Sequence, residues 1–238
     1  MLRIDFVTLF PEMVLGAMRH SIPRRAAEAG LFEPSAVNPR DFATDIHRTV
    51  DDEPFGGGPG MVLMAEPLAL AIESLSLPKG APVILTDPNG ERFSQEAARS
   101  LSEFERIAIV CGHYGGIDGR VRELFATHVY SVGEFVVTGG ELPALLIADA
   151  IVRLVPGVLG SDESAASDAF AEGLLSAPQY TRPAEFRGME VPEVLRSGDH
   201  AAAAKWKRTE ALRQTRRQRP DLFWRARLEK ADADMLSS

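Results

Sequence analysis

The first two-thirds of the chain alternates short runs that are apolar throughout with stretches whose apolar residues recur at helical spacing. "RIDFVTLF" (3–10) predicts a strand that stops at Pro11. "MVLGAMRHSIPRRAAEAG" predicts one or two short helices, interrupted at Pro23 and stopped by Gly30. "LFEPSAVNP" is a weaker strand, because Pro34 cannot donate to a ladder. "EPLALAIESL" (66–75) is helical. "APVILTD" (81–87) is a short buried strand followed by a turn at Pro88-Asn89-Gly90. Ser94 caps a helix over 94–104, and "RIAIVCG" (106–112) is a second buried strand. A helix over 118–126, a strand over 128–133 and a helix over 141–155 complete the series.

Strands that are continuously apolar and alternate with helices predict a parallel sheet covered on both faces. Ligands of such sheets sit at the carboxyl ends of the strands. The turns "TDPNGER", "CGHYGGIDGR" and "VGEFVVTGGELP" lie there, and each is rich in glycine. The last reads as a short apolar hairpin-like stretch, Gly139-Gly140, and then a helix start. After Gly160 the texture changes. Residues 161–173 are small, polar and acidic, and predict a linker or mobile loop. Residues 174–238 predict a small helical domain, with a long helix over 199–220 and another in "DLFWRARLEK".

Composition adds bounds. The 238 residues are 45% hydrophobic and 25% charged, as expected of a soluble globular protein. A lone cysteine, Cys111, excludes an internal disulfide and suits a reducing compartment. The five histidines are scattered, and no pair has metal-ligand spacing, so no metal site is predicted. Asp5 and Glu12 interrupt any leader-like core, and Asp149, Arg153 and Pro156 interrupt the longest apolar run. The expected location is the cytoplasm. Net charge is −8, which by itself argues against a nucleic-acid partner. The charge is uneven, however. Lys205, Lys207, Arg208, Arg213, Arg216, Arg217, Arg219, Arg225, Arg227 and Lys230 are offset only by Glu210, Asp221 and Glu229. A solvated helix face and an RNA-binding stripe interleaved with Trp206, Phe223 and Trp224 account for this equally well.

Standard motifs are absent: no GxxxxGK[ST], no GxGxxG after a strand, no GxSxG. "DDEPFGGGPGM" (51–61) has no lysine beside it and is not a P-loop. It is either a surface turn or a place where a flat ligand meets bare backbone. Arg153 follows Asp149 at helical i,i+4 spacing, and by itself reads as an ion pair. Asp168 reads as a solvated loop carboxylate.

Taken together, several stretches resemble the bacterial tRNA (guanine-37-N1)-methyltransferases of the knotted SPOUT superfamily. They are "TLFPEM" (8–13), "PRDF" (39–42), "HRTVDDEPFGGGPGM" (47–61), "CGHYGGID" (111–118), "GGELPA" (139–144), "PGVLG" (156–160), "DAFAEGLL" (168–175), "YTRP" (180–183) and "GMEVPEVL" (188–195). The resemblance covers nearly the whole chain. It implies an α/β fold whose parallel sheet carries a deep C-terminal trefoil knot over 1–160, a linker over 161–173, and a small all-α tRNA-binding domain over 174–238. It also implies a homodimer with active sites at the interface, acting on the tRNA anticodon stem-loop with S-adenosylmethionine as methyl donor. Donor contacts are implied at Leu85, Thr86, Pro88, Gly112, Tyr114, Gly116, Val132, Gly133, Phe135, Val137, Thr138, Gly139, Gly140 and Pro143. Asp51, Gly58, Pro59 and Gly60 would wall the guanine pocket. Asp168 would remove the N1 proton, and Arg153 would stabilise charge on O6.

One departure stands out. The family usually reads CGRYEGIDERV, where this chain has His113, Gly115 and Gly119. The glutamate that the family places at 115, near the donor, is linked to magnesium dependence, so Mg2+ is expected here to help through the RNA. Two other classes stay in view: an RNA-binding member of the same fold with impaired catalysis, and a nucleotide-phosphate enzyme using the GGGPG loop.

Overall fold

The computed structural model describes residues 1–160, 168–170 and 172–237, with Ser237 described by its backbone alone. The chain divides into two compact units, Met1–Gly160 and Ser161–Ser238. The linker expected over 161–173 falls, at 161–167 and 171, outside the described residues.

Unit 1 is built on five parallel strands: β1 (Leu2–Val7), β2 (Phe32–Val37), then, after a short antiparallel pair of β3 (Asp51–Asp52) and β4 (Val62–Leu63), β5 (Val83–Arg92), β6 (Arg106–Cys111) and β7 (His128–Ser131). Their order across the sheet is β2-β1-β6-β5-β7. β6 lies at the centre, with Ile4 opposite Ile107 and Thr86 opposite Cys111. Successive residues on a strand face opposite sides. Accordingly Ile107, Ile109 and Cys111 join one apolar cluster, with Ile4, Phe6 and Ile84. Ala108 and Val110 join the other, with Val7, Val83 and Leu85. Because both faces are covered, the central strand shows no polar alternation.

Helices α1 (Pro11–Met18), α2 (Ser21–Glu28), α3 (Ala65–Ser74), α4 (Gln95–Ser102), α5 (Gly119–Phe125) and α6 (Glu141–Val152) supply the cover. Val14, Met18, Ala98, Ala144, Ile147 and Ile151 pack on one face, and Leu68, Ala71, Ile72 and Val121 on the other. Ser94 caps α4, its hydroxyl accepting from Ala97 N, and Asp118 caps α5 through Arg120 N.

Several local expectations are corrected. The break between α1 and α2 falls at Arg19–His20, not at Pro23. Pro23 sits in the first turn of α2, where the missing N–H costs no intrahelical bond. Pro34 is accommodated because β2 is an edge strand. Pro88-Asn89-Gly90 does not end β5. The strand bulges there and resumes, so that Tyr130 is opposite both Thr86 and Glu91. Asn89 N donates to Asp87 Oδ1 at 2.7 Å within the bulge. A Cβ at Gly90 would meet Val129 O at 2.5 Å. Residues 132–138 form bends rather than a hairpin.

Unit 2 is mainly helical, but not all-α. Its hairpin of β8 (Glu185–Phe186) and β9 (Met189–Glu190) precedes α7 (Glu193–Arg196), α8 (His200–Gln218), α9 (Pro220–Phe223) and α10 (Lys230–Ser237). "DLFWRARLEK" is therefore one turn of helix and a loop, not a continuous helix. Asp199 caps α8 by accepting from Ala202 N. Leu174, Leu212 and Phe223 form a small core. Beside it Arg208 grips Asp232 with two bonds of 2.9 and 2.8 Å and reaches Glu172 at 2.6 Å. That guanidinium holds the Asp232 carboxyl below the usual carboxylate range. Among the described residues no helix is long and apolar enough to cross a membrane.

Candidate active site

A cavity of about 310 Å³ opens where the chain leaves β6 and β7 and where β5 bulges. Its walls are Thr86–Asn89, Gly112–Ile117, Tyr130–Val132, Phe135–Gly140 and Pro143. These are the glycine-rich turns expected at strand ends. They touch one another. Gly140 N donates to Gly112 O at 2.6 Å, and His113 forms an isolated antiparallel bridge with Gly139. The Thr86 hydroxyl lies 3.2 Å from Val110 O and 3.3 Å from Gly140 O.

Glycine is required at the closest approach. A Cβ at Gly140 would run into Thr86 Oγ1, and would lie 2.5 Å from Gly112 N and 2.9 Å from Cys111 Cα. No side chain beyond hydrogen fits, so the backbone itself forms the wall.

All the donor-contact positions inferred from the resemblance line this cavity except Leu85 and Gly133. Leu85 is 1% exposed, and its side chain belongs to the apolar cluster on one face of the sheet. Gly133 lies beneath the Phe135 ring, which occupies the space a Cβ would need. It supports the wall without lining it. The cavity also recruits Asp87, Asn89, His113, Gly115, Ile117, Tyr130, Ser131 and Val136. Asp87, Asn89, Ile117 and Val136 were marked in the sequence only as members of the same turns, His113 and Gly115 also as departures from the family pattern, and Tyr130 and Ser131, which belong to β7, were not marked as site residues at all.

The glycine loop is tied to this wall. Asp51 pairs with Leu63 in the stem. Leu63 N donates to Gly116 O at 3.0 Å, Asp118 N to Leu63 O at 3.1 Å, and Gly115 N to Met61 O at 2.7 Å. Gly56, Gly57, Gly58 and Gly60 all have positive φ, with nothing within 4 Å of a built Cβ. Phe55 is fully exposed beside them. The loop joins two antiparallel strands rather than a strand and a helix N-terminus, so it lacks the frame of a phosphate cradle. From the 39–42 turn, Arg40 donates to the Tyr114 hydroxyl at 3.2 Å and to Arg48 O at 3.2 Å.

The two residues assigned chemistry by the resemblance are not among the lining. α6 starts at the cavity and ends at Arg153, its C-cap. Its 12 residues span about 18 Å, so Arg153 lies a helix length from Gly140. Asp168 is half-buried and belongs to unit 2. Among the described residues no group of three or more His, Cys, Asp or Glu is arranged to hold a metal ion.

Comparison with known proteins gives this geometry a family. The model described as tRNA (guanine-1)-methyltransferase TrmD matches residues 2–225. The tRNA (guanine-N(1)-)-methyltransferase of Geobacter sulfurreducens is 54% identical over 237 residues, covering 99% of this chain and 97% of that protein. Those of Moorella thermoacetica (53%, covering 99% and 95%) and Dehalococcoides mccartyi (50%, covering 99% and 96%) are similarly alike. With its strand-end cavity, its glycine loop and likeness running the length of the molecule, this chain belongs to the tRNA (guanine-1)-methyltransferase family.

Proposed function

We propose that this methyltransferase moves the methyl group of S-adenosylmethionine to N1 of guanosine 37, next to the anticodon of tRNA. The observation that carries the reading is the strand-end cavity, whose wall is bare backbone at Gly112, Gly139 and Gly140. Its volume suits a nucleoside-sized ligand. Its mixture of backbone polar groups with Ile117, Val132, Phe135 and Val137 suits an adenosyl group. When bound, the donor supplies an electrophilic methyl group on a sulfonium.

The rest of the chemistry falls to the protein. Guanine N1 carries a proton and is a weak nucleophile at neutral pH. Asp168 takes that proton as N1 attacks, and Arg153 balances the charge that develops on O6. The base must leave its stack to be reached. Asp51, Gly58, Pro59 and Gly60 then receive it against the open loop that hangs from the cavity wall.

Arg153, at the far end of α6, is not among the residues that line the cavity, which supports a reading in which a second copy completes the site. The homodimer reading is supported by apolar residues left exposed around α1 and α6: Phe10, Met13, Leu142 and Leu146. The knot reading is supported by the bonds that tie Gly140 and Gly139 into the 112–113 turn. On α8, exposed Lys205, Lys207, Arg216 and Arg217 suit the phosphates of the anticodon stem. Mg2+ acts through the RNA, and methyl transfer should therefore fall on chelation.

The test is transfer of labelled methyl groups to tRNA transcripts carrying or lacking guanosine at position 37. Label confined to the guanosine-37 transcript is expected. Tight tRNA binding with no transfer would overturn the reading.

A further inference from the structure

Beside the cavity lies a buried polar cluster that the proposed chemistry does not use. Glu141 opens α6 and is 3% exposed. Its Oε1 accepts a bond of 2.7 Å from the Thr8 hydroxyl. Its Oε2 faces His113 Nδ1 at 4.0 Å, beyond hydrogen-bond length. That Nδ1 is buried, and among the described residues it has no hydrogen-bond partner. Buried polar atoms are rarely left so.

The surroundings hold the two groups face to face. The His113 ring packs against Phe10, with centroids 5.3 Å apart, and edge-on to Tyr114 at 4.7 Å. A Cβ at Gly139 would stand 2.5 Å from Glu141 Oε2 and 2.7 Å from His113 Nδ1, so only glycine leaves the gap between them clear. His113 lines the cavity, whereas Glu141 stands behind it.

We propose that Glu141, anchored by Thr8, is a positioning residue that takes the Nδ1 proton of His113 in a hydrogen bond when the methyl donor is seated. This rests on the reading of the cavity as the donor site. Closing the gap needs a movement of about 1 Å. It fixes the tilt of the ring and turns its other edge, with the adjoining Tyr114 backbone, toward the donor. Tyr114 has φ +56, a conformation that neighbouring contacts must maintain. A bond to His113 supplies one.

The test uses the full chain. Donor affinity is measured by calorimetry without tRNA, and kcat and donor KM with tRNA. Glu141→Gln and His113→Phe should each weaken donor binding about tenfold, the worth of one hydrogen bond to a charged group. Most of the loss should fall in donor KM. The double variant should bind no worse than His113→Phe alone. Adding donor to the wild type should move the His113 Nδ1 nitrogen resonance toward its hydrogen-bonded position, and Glu141→Gln should abolish that change. Should Glu141→Gln fail to fold, Thr8→Val and the wild-type resonance carry the test. Additive losses, undiminished donor affinity in Glu141→Gln or Thr8→Val, or a motionless Nδ1 signal would each overturn the proposal. A wild type that binds no donor would instead sink the cavity reading, and this inference with it.

Discussion

Gly140 donates its backbone N–H to Gly112 O at 2.6 Å, which locks the start of α6 to the turn after β6. The approach depends on Gly140 having no side chain, since a Cβ there would stand 2.5 Å from Gly112 N. Gly140 has φ −77, which any residue can adopt, so substitution acts by collision and not by backbone strain. Gly140→Ala should cost about 1–3 kcal/mol of stability, as overpacking does, and should lower donor affinity at least tenfold. Thermal denaturation and calorimetry would check both.

Gly115 poses a different question. A Cβ there would stand 2.9 Å from Met61 O, the carbonyl that takes the Gly115 N–H. Gly115→Ala should therefore disturb the 53–61 loop as much as Gly115→Glu does. The expected signature in steady-state kinetics is a raised KM for tRNA with a smaller change in donor KM. An effect confined to Gly115→Glu would point to charge instead of shape.

Asp168→Asn keeps the shape of the side chain and removes its basicity. Transfer should fall by about 10²–10⁴ in kcat, the usual worth of a general base, with donor binding unchanged. Full activity in single-turnover assays would remove Asp168 from the base role.

Asp5, within β1, is wholly buried. Burial alone would push its carboxyl up. Bonds from Arg106, Ser35 and Arg3 outweigh this and hold it below the ordinary carboxylate range. A group lowered on folding stabilises the protein above its unfolded value, near 3.9, and that contribution is lost as pH falls through the folded value. Stability should thus hold between about pH 5 and 7 and decline below about pH 4. Asp5→Asn should flatten that decline. At neutral pH it should cost about 1–3 kcal/mol, because Arg106 and Arg3 keep partial access to water. Urea unfolding across pH would decide.

Replacing Lys205, Lys207, Arg216 and Arg217 with glutamine should weaken tRNA binding. If these side chains meet phosphates, the slope of log affinity against log salt should become shallower by about 0.7–0.9 for each phosphate no longer neutralised. An unchanged slope would place the RNA elsewhere.

Much of the architecture was legible because its causes are local. β6 reads as a strand from Ile107 to Cys111, since a strand covered on both faces must be apolar at every position. Ser94 announces a helix start because a cap bonds only two or three residues ahead, and the structure adds Asp118 and Asp199 as caps of the same kind. The likeness of nearly the whole chain to one family was legible too, since its motifs are contiguous stretches. Pro23 misled because proline's effect depends on where a helix starts. Pro88-Asn89-Gly90 misled because pairing with Tyr130 on both sides carried the strand past it. The order β2-β1-β6-β5-β7, the meeting of Thr86, Gly112 and Gly140, and the facing of His113 and Glu141 were decided by tertiary structure alone. Those residues are joined by crossovers between strands, and no spacing along the chain encodes which turns will touch. The cavity and its buried pair come from packing that forms only when distant strand ends are brought side by side.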